Sequence, residues 1–170
     1  MGITGTDVTK NVADMVLADD NFATIVGAVE EGRRIYDNIR KAIQFLLGSN
    51  MSEVISIFVA TILGFTILKP VHLLWINLVT DCFPALALGM EKAEGNIMRR
   101  RPRPAKDGIF AGGMGFDIAY QGVLISALVL AAYFVGHYIE TGVWTITDSA
   151  DGTTMAFLTM SMAEVCLLYT

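Results

Sequence analysis

The sequence predicts a mainly α-helical, polytopic membrane protein: a bundle of four transmembrane helices, preceded by a short α/β piece and a helical stalk. Composition is the first observation, since 54% of the 170 residues are hydrophobic and the mean hydropathy is positive. The second is that four long runs contain no lysine or arginine: 42–68, 70–90, 108–139 and 152–170. A helix needs roughly 20 residues to cross the hydrocarbon layer. A soluble helical core is the alternative, but its buried helices rarely exceed about 20 residues without polar relief.

The third observation is the distribution of charge, which sets the expected orientation. The loop between residues 91 and 107 has six basic side chains and three acidic ones, whereas residues 137–152 contain three acids and no lysine or arginine. Further basic residues lie just before the first run, between residues 33 and 41. Loops rich in lysine and arginine stay on the cytoplasmic side. The pattern predicts a cytoplasmic N-terminus, four crossings and a cytoplasmic C-terminus.

The first element is the polar segment 1–32. Thr4 or Thr6 is expected to cap a short helix through Asp14, "MVLA" at 15–18 is expected to form a buried strand, and Asp20 is expected to cap a helix that opens at Phe22. About thirty residues cannot bury a core of their own. We therefore expect this segment to be the end of a larger domain.

The stalk and the transmembrane helices follow in 33–170. From residue 22 onward apolar residues recur near helical spacing and no proline appears before Pro70, so the stalk is predicted to run directly into the first span, with a bend at Gly32. The four membrane helices are predicted at about 34–68, 71–90, 111–139 and 153–170.

The second predicted membrane helix contains Pro84. Proline has no backbone N–H, so the carbonyl group one turn earlier loses its usual partner. We expect the helix to open locally near Thr80 and Asp81 and to offer oxygen atoms to a ligand.

Three acids lie deep inside the predicted spans, away from their ends: Glu53, Asp81 and Glu164. An unpaired ionised carboxylate in the membrane costs several kcal/mol or more, and no basic residue lies in these runs to pair with it. The acids are therefore expected either to be protonated, as groups that pack helices together, or to bind a cation.

Neighbouring polar residues favour a cation. Asn50 and Glu53 share one helix face, and Asn77, Thr80 and Asp81 share another. Carboxylate, amide and hydroxyl oxygens are hard ligands that suit calcium better than zinc or copper. Chemistry alone leaves sodium, potassium and protons open.

Two further features are given structural roles. Asp117, near the start of the third span, is expected to be an interfacial residue rather than a ligand. The basic run "RRRPRP" at 99–104 is expected to be a topology signal, although it could also bind anionic lipid.

Several motifs occur in an order that identifies a family. "MVLADDNF" at 15–22 is followed by an "SNxxE" pattern at 49–53 and by "NLVTD" at 77–81. Over essentially its whole length the chain resembles the type II P-type cation-transporting ATPases, and within them the calcium pumps. The resemblance implies that residues 1–32 are the C-terminal end of the cytoplasmic, HAD-like phosphorylation domain. Residues 33–170 would then be the stalk and the family's fifth to eighth membrane helices.

The resemblance also implies a set of ion ligands. By position in the family's motifs these are Asn50, Glu53, Asn77, Thr80, Asp81 and Glu164. Glu164 corresponds to an acid of the eighth helix in pumps of the sarcoplasmic-reticulum type. Sodium-potassium pumps typically have aspartate at the position of Asn77, which favours calcium as the transported ion.

The family's "DKTGT", "TGES", "GDGxND" and "PEGL" motifs do not occur in these residues. The resemblance therefore implies that ATP and magnesium bind elsewhere in a full-length pump and that this chain alone does not hydrolyse ATP. Its expected partners are the rest of the same polypeptide and the lipid bilayer of the cell membrane, with no nucleic acid. The alternatives are a sodium/potassium-type or other cation P-type ATPase, a non-enzymatic channel or carrier, and a structural membrane protein with protonated acids.

Overall fold

A computed structural model of the chain describes residues 1–104 and 107–168. Its described residues form helices and no strand, which confirms the mainly α-helical class. The α-helices are α1 Asp7–Val12, α2 Ala23–Leu63, α3 Pro70–Trp75, α4 Cys82–Gly89, α5 Met114–Thr141 and α6 Ala150–Leu167; a π-helix, Ile76–Asp81, joins α3 to α4, and a short 3-10 helix covers Ile97–Arg99.

Helix α2 is a single helix of 41 residues. It confirms that the helix beginning after residue 22 continues into the first predicted span, and it is not interrupted at Gly32. It ends before the predicted residue 68 because Gly64 has a positive φ of 83° and donates its N–H to the carbonyl of Ala60 at 2.9 Å. This is a usual way for a helix to end.

The second predicted span is one helical stretch with a wide turn in its middle. Pro70 occupies its first turn, where the missing N–H has no intrahelical role. The π-helix Ile76–Asp81 lies just before Pro84, which cannot donate to the carbonyl of Thr80. The predicted departure from α-geometry is therefore confirmed, but as a widened helix rather than an open one.

Helices α5 and α6 pack closely against each other. Gly136 of α5 lies so near Gly152 of α6 that a Cβ atom on Gly136 would come within 2.8 Å of the Gly152 Cα. Helix α6 begins at Ser149, whose hydroxyl accepts the N–H of Gly152 at 2.8 Å.

Three helices in the described part of the chain are long and apolar enough to cross a membrane: Ala23–Leu63, Pro70–Gly89 and Met114–Thr141. Helix α6 lies where the fourth span is predicted, but it has 18 residues that include Asp151 and Glu164, and it is not among the three. The fourth crossing stays a prediction.

The chain divides into two compact units. One comprises Met1–Asp37 and Lys92–Pro102, and the other comprises Asn38–Glu91 and Arg103–Thr170. The boundaries of these units differ from those of the predicted domains, 1–32 and 33–170, and the assignment of 1–32 to a phosphorylation domain stays a prediction.

In the first unit, the expected strand at 15–18 is absent. Met15 and Val16 are 57% and 44% exposed, and Leu17 makes a backbone hydrogen bond with Gly2 at 2.7 Å. Without a sheet partner or a covering layer, an apolar run of four residues has nothing to stabilise it as a strand. The cap by Thr6 is confirmed, since its hydroxyl accepts the N–H of Thr9, although α1 ends at Val12.

Asp20 does not cap α2, contrary to the prediction. Its carboxylate accepts the N–H of Ile3 at 3.0 Å and that of Thr4 at 2.7 Å, together with the Thr4 hydroxyl. These hydrogen bonds, the Thr4 hydroxyl first, lower the pKa of Asp20 well below its usual range. The N–H of Ala23 is instead accepted by the side chain of Asn21 at 3.0 Å.

Part of the basic run at 99–104 forms ion pairs and hydrogen bonds within the same unit. Arg100 pairs with Asp37 at 2.9 Å and also with Glu94. Arg33 donates to the carbonyls of Ile97 and Arg100 at 2.9 and 3.1 Å.

The second unit has apolar side chains both in its buried core and on its exposed surface. Its core is built around fully buried residues such as Val129, Tyr133 and Met160. Large apolar side chains of α2 are exposed on the opposite face, including Phe58 and Ile62 at 65% and 68%. Apolar side chains on the outer face of such a helix are typical of a membrane span.

Candidate cation site

The candidate site starts from a buried polar stripe on α2. Ser49, Ser52, Glu53 and Ser56 are all buried, and the three serines are completely so. Their spacing of three and four residues puts them on one face of the helix. This face of α2 is therefore polar, although it lies inside the unit.

Ser49 is the point where three helices meet. Its hydroxyl lies 2.9 Å from Asp81 Oδ1, at the end of the π-helix, and 2.6 Å from Glu164 Oε1, on α6. Both acids are almost completely buried, with exposures of 2% and 0%. The structure thus brings together two acids that are 83 residues apart in the sequence.

The second oxygen of Glu164 also has a hydroxyl partner. Thr80 Oγ1 lies 2.8 Å from Glu164 Oε2 and 2.8 Å from the carbonyl oxygen of Ile76. Both carboxyl oxygens of Glu164 are therefore held by hydroxyl groups from α2 and from the π-helix.

Counting protons constrains the state of this network. The Ser49 hydroxyl has one proton and cannot donate to Asp81 and Glu164 at once, and the Ile76 carbonyl near Thr80 can only accept. All four contacts are satisfied together when Glu164 carries a proton at Oε2 and Asp81 carries one at Oδ1. The arrangement is therefore suited to protonated carboxyl groups.

Glu53 forms the neighbouring part of the site. The amide nitrogen of Asn77 lies 3.1 Å from each carboxylate oxygen of Glu53 and also donates to the carbonyl of Leu73. Glu53 is 7% exposed and follows Ser49 by one turn on the same face of α2. One helical turn separates the two parts of the site, both from Ser49 to Glu53 and from Asn77 to Asp81.

Asp81 has one oxygen without a partner. Its Oδ2 atom is buried and makes no hydrogen bond with any described residue. Buried polar atoms are nearly always hydrogen-bonded, and the exceptions often belong to functional sites. The unpaired oxygen belongs to the acid that Ser49 connects to Glu164.

The structure therefore brings together most of the predicted ligands: Glu53, Asn77, Thr80, Asp81 and Glu164. Asn50 is not among them. Its side chain is exposed, and its amide nitrogen donates to the carbonyl of Leu46 on the same helix at 2.7 Å. Its role as a ligand stays a prediction.

The sequence interpretation missed Ser49 as a member of the site. Ser49 lies four residues before Glu53 and Asn50 lies three before it, so both share its helix face, and the spacing alone does not choose between them. Asp117 is exposed in the first turn of α5, and its interfacial role stays a prediction.

The chemistry of this group is that of hard oxygen ligands. No group of three or more histidine, cysteine, aspartate or glutamate side chains in the described residues is arranged to hold a metal ion on its own. A cation here would also need the hydroxyl and amide oxygens of residues such as Thr80 and Asn77. Such mixed sets suit calcium and alkali cations.

The chain is similar to proteins named as calcium-transporting ATPases. Calcium-transporting ATPase 1 of Bacillus cereus is 52% identical over 143 residues, which are 84% of this chain and 16% of that protein. The calcium-transporting ATPase of Bacillus subtilis is 43% identical over 166 residues, or 97% of this chain and 18% of that protein. An endoplasmic reticulum-type calcium-transporting ATPase 3 of Arabidopsis thaliana is 39% identical over 165 residues, or 96% and 16%.

This chain spans less than a fifth of the length of these relatives. The family model described as "Cation transporting ATPase, C-terminus" matches residues 65–170. With its apolar helices and its buried acids, the chain is a multi-pass membrane protein that belongs to the cation-transporting ATPase C-terminal family.

Proposed function

We propose that this chain is the membrane part of an ATP-driven calcium pump and that its buried acids bind the transported ion. The observation that carries the proposal is the convergence of Glu53, Asp81 and Glu164 from three helical segments, with the buried Asp81 Oδ2 unpaired. A cation would interact favourably with that oxygen and would neutralise acids that have no basic neighbour in these spans.

The proposed ligands are Asn50, Glu53, Asn77, Thr80, Asp81 and Glu164. Two of them would need to turn. The amide nitrogen of Asn77 faces Glu53, so Asn77 would have to present its oxygen instead. Asn50 would have to exchange its hydrogen bond to Leu46 for a place beside Glu53.

The names of the relatives support calcium as the ion and ATP as the source of energy. In this proposal ATP and magnesium bind in other parts of a full-length polypeptide, and the rest of that polypeptide is the main partner of this chain. The continuous helix α2 would transmit force to Ser49 and Glu53, because its hydrogen bonds run without interruption from Ala23 to Leu63.

Protons are the proposed counter-ions. The hydroxyl network around Glu164 is satisfied when Asp81 and Glu164 are protonated. Calcium requires the same oxygens deprotonated, so binding of the ion releases the protons, and the site holds either the ion or the protons.

The lipid bilayer is the second proposed partner. Exposed apolar side chains along the helices, such as Phe58, Ile62 and Phe83, are suited to contact with lipid tails. The positions of the basic residues support a cytoplasmic N-terminus and four crossings, and the short loops resemble those of a bacterial cell-membrane pump.

The test is ATP hydrolysis by the full-length polypeptide in membranes, with calcium compared with manganese, sodium and potassium. We expect micromolar calcium to stimulate hydrolysis and the other ions to be much weaker. Stimulation by sodium or potassium instead would identify another cation ATPase. Ion flux without ATP hydrolysis would favour a channel or carrier.

A further inference from the structure

A single hydroxyl group connects the two most deeply buried acids of the site. Ser49 is 0% exposed, and its Oγ atom contacts both Asp81 and Glu164. The three residues belong to α2, the π-helix and α6. Thr80 also joins the π-helix to Glu164, but Ser49 contacts the carboxyl groups of both Asp81 and Glu164.

The physical need for such a connection is clear from the charges. Two carboxyl groups in a site of low dielectric constant repel each other whenever both are ionised, and no basic residue occurs in these spans to hold them together. A hydroxyl can donate to an ionised carboxylate and accept from a protonated carboxyl group, so Ser49 can contact both groups while at least one of them carries a proton.

We propose that Ser49 is a positioning residue of the transport site, which keeps the carboxyl groups of Asp81 and Glu164 next to each other until a calcium ion replaces their protons. The inference rests on the proposed function of the site and adds a residue and a role to it. Ser49 acts through the two acids, and its hydroxyl is not required as a ligand.

The chain provides a matched control on the same helix. Ser56 is also a serine of α2 with 0% exposure, but its hydroxyl makes no hydrogen bond with any described residue. Ser49→Ala and Ser56→Ala therefore remove the same atom from equally buried positions. They differ in whether contacts with carboxyl groups are lost.

The experiment measures calcium-dependent phosphorylation of the full-length polypeptide by ATP for the wild type and both variants, with strontium as a second ion. For Ser49→Ala we expect half-saturating calcium to rise about tenfold, as for the loss of a hydrogen bond to a charged group. Maximal phosphorylation at saturating calcium should be unchanged. The preference for calcium over the larger strontium ion should fall, because the spacing of the acids is no longer fixed. Ser56→Ala should resemble the wild type.

Two outcomes would overturn the inference. The first is that Ser49→Ala and Ser56→Ala give the same half-saturating calcium concentration. The second is that Ser49→Ala lowers maximal phosphorylation and weakens calcium and strontium equally, which indicates structural damage alone. A wild type that does not respond to calcium would refute the proposed function itself, and this inference with it.

Discussion

The second unit contains two polar clusters in which carboxyl and hydroxyl groups have different kinds of hydrogen-bond partner. One is the candidate cation site around Ser49, Glu53, Asp81 and Glu164. The other, which we call the loop clamp, consists of Tyr133, Glu140, Thr147, Asp148 and Ser149 near the connection between α5 and α6.

In the loop clamp the partners are mostly backbone groups. Asp148 accepts the N–H of Thr66 at 2.7 Å, and Glu140 accepts the N–H of Asp151 at 3.2 Å. The Tyr133 hydroxyl donates to the carbonyl of Thr147 at 3.0 Å and accepts the N–H of Ser149 at 3.1 Å. Both carboxylates are exposed to the surface of the unit.

In the cation site the partners of the carboxyl groups are side chains. Hydroxyl groups of Ser49 and Thr80 and the amide of Asn77 can rotate, whereas the backbone N–H groups of the clamp cannot. The acids of the site are buried, and one oxygen of Asp81 is unpaired. Acids bound to fixed donors stabilise a connection, while buried acids bound to rotatable donors can exchange their partners for an ion.

The largest expected effect comes from Asp81→Asn. The change removes the charge of the buried acid that contacts Ser49 and has an unpaired oxygen, and we expect calcium affinity to fall by at least about a hundredfold, or about 3 kcal/mol. Calcium-dependent phosphorylation from ATP should be abolished at ordinary calcium concentrations. An unchanged calcium dependence would show that Asp81 belongs to a structural cluster like the clamp.

Glu53→Gln should have the next largest effect. The amide keeps the shape of the side chain and a contact with Asn77 but loses the charge, so we expect calcium affinity to fall about tenfold or more. The amount of protein inserted in the membrane should stay the same, as judged from immunoblots of membrane fractions. If the protein is lost from the membrane while its surviving fraction binds calcium normally, Glu53 packs helices and does not bind the ion.

Tyr133→Phe tests the structural role of the loop clamp. The ring still stacks on Phe65, but the buried N–H of Ser149 loses its acceptor, so we expect a loss of about 2 kcal/mol in stability. Thermal unfolding in detergent should show the lower midpoint. Calcium affinity should not change, and a large change would mean that the clamp and the site are coupled.

Asp117→Asn should have the smallest effect. The side chain is exposed in the first turn of α5, so only a favourable interaction with the helix dipole, about 0.5 kcal/mol, is lost. Half-saturating calcium should match the wild type in the phosphorylation assay. A large shift would place Asp117 in the ion pathway, contrary to its interfacial assignment.

Local patterns predicted much of the fold. Long apolar runs placed the helices, and the absence of proline before Pro70 predicted the continuous α2. The position of Pro84 predicted a disturbance near Asp81, and the disturbance is the π-helix. The strand at 15–18 was wrong because a strand depends on partners that a local pattern does not contain.

The acids of the site were predictable because a charge inside an apolar run is costly and needs an explanation. Ser49 was not, since a serine is cheap to bury in a helix and carries no such signal. The buried positions 49, 52, 53, 56 and 60 define the inner face of α2, and residue 50 lies about 100° from residue 49. The rotation of a helix about its axis depends on packing, so spacing within one helix could not decide between Ser49 and Asn50.

The π-helix before Pro84 has one more residue in its hydrogen-bonded turn than the α-helices on either side of it. Its wide turn sets the angle at which Asp81 faces Ser49, and the proline prevents the ladder of backbone bonds from closing into an ordinary α-turn on that side. Shortening this turn by one residue would swing every side chain after it through about a quarter of a revolution relative to those before it. The π-turn therefore determines the rotation of α4 relative to α3, and with it which side-chain oxygens of this span face Ser49 and Glu164.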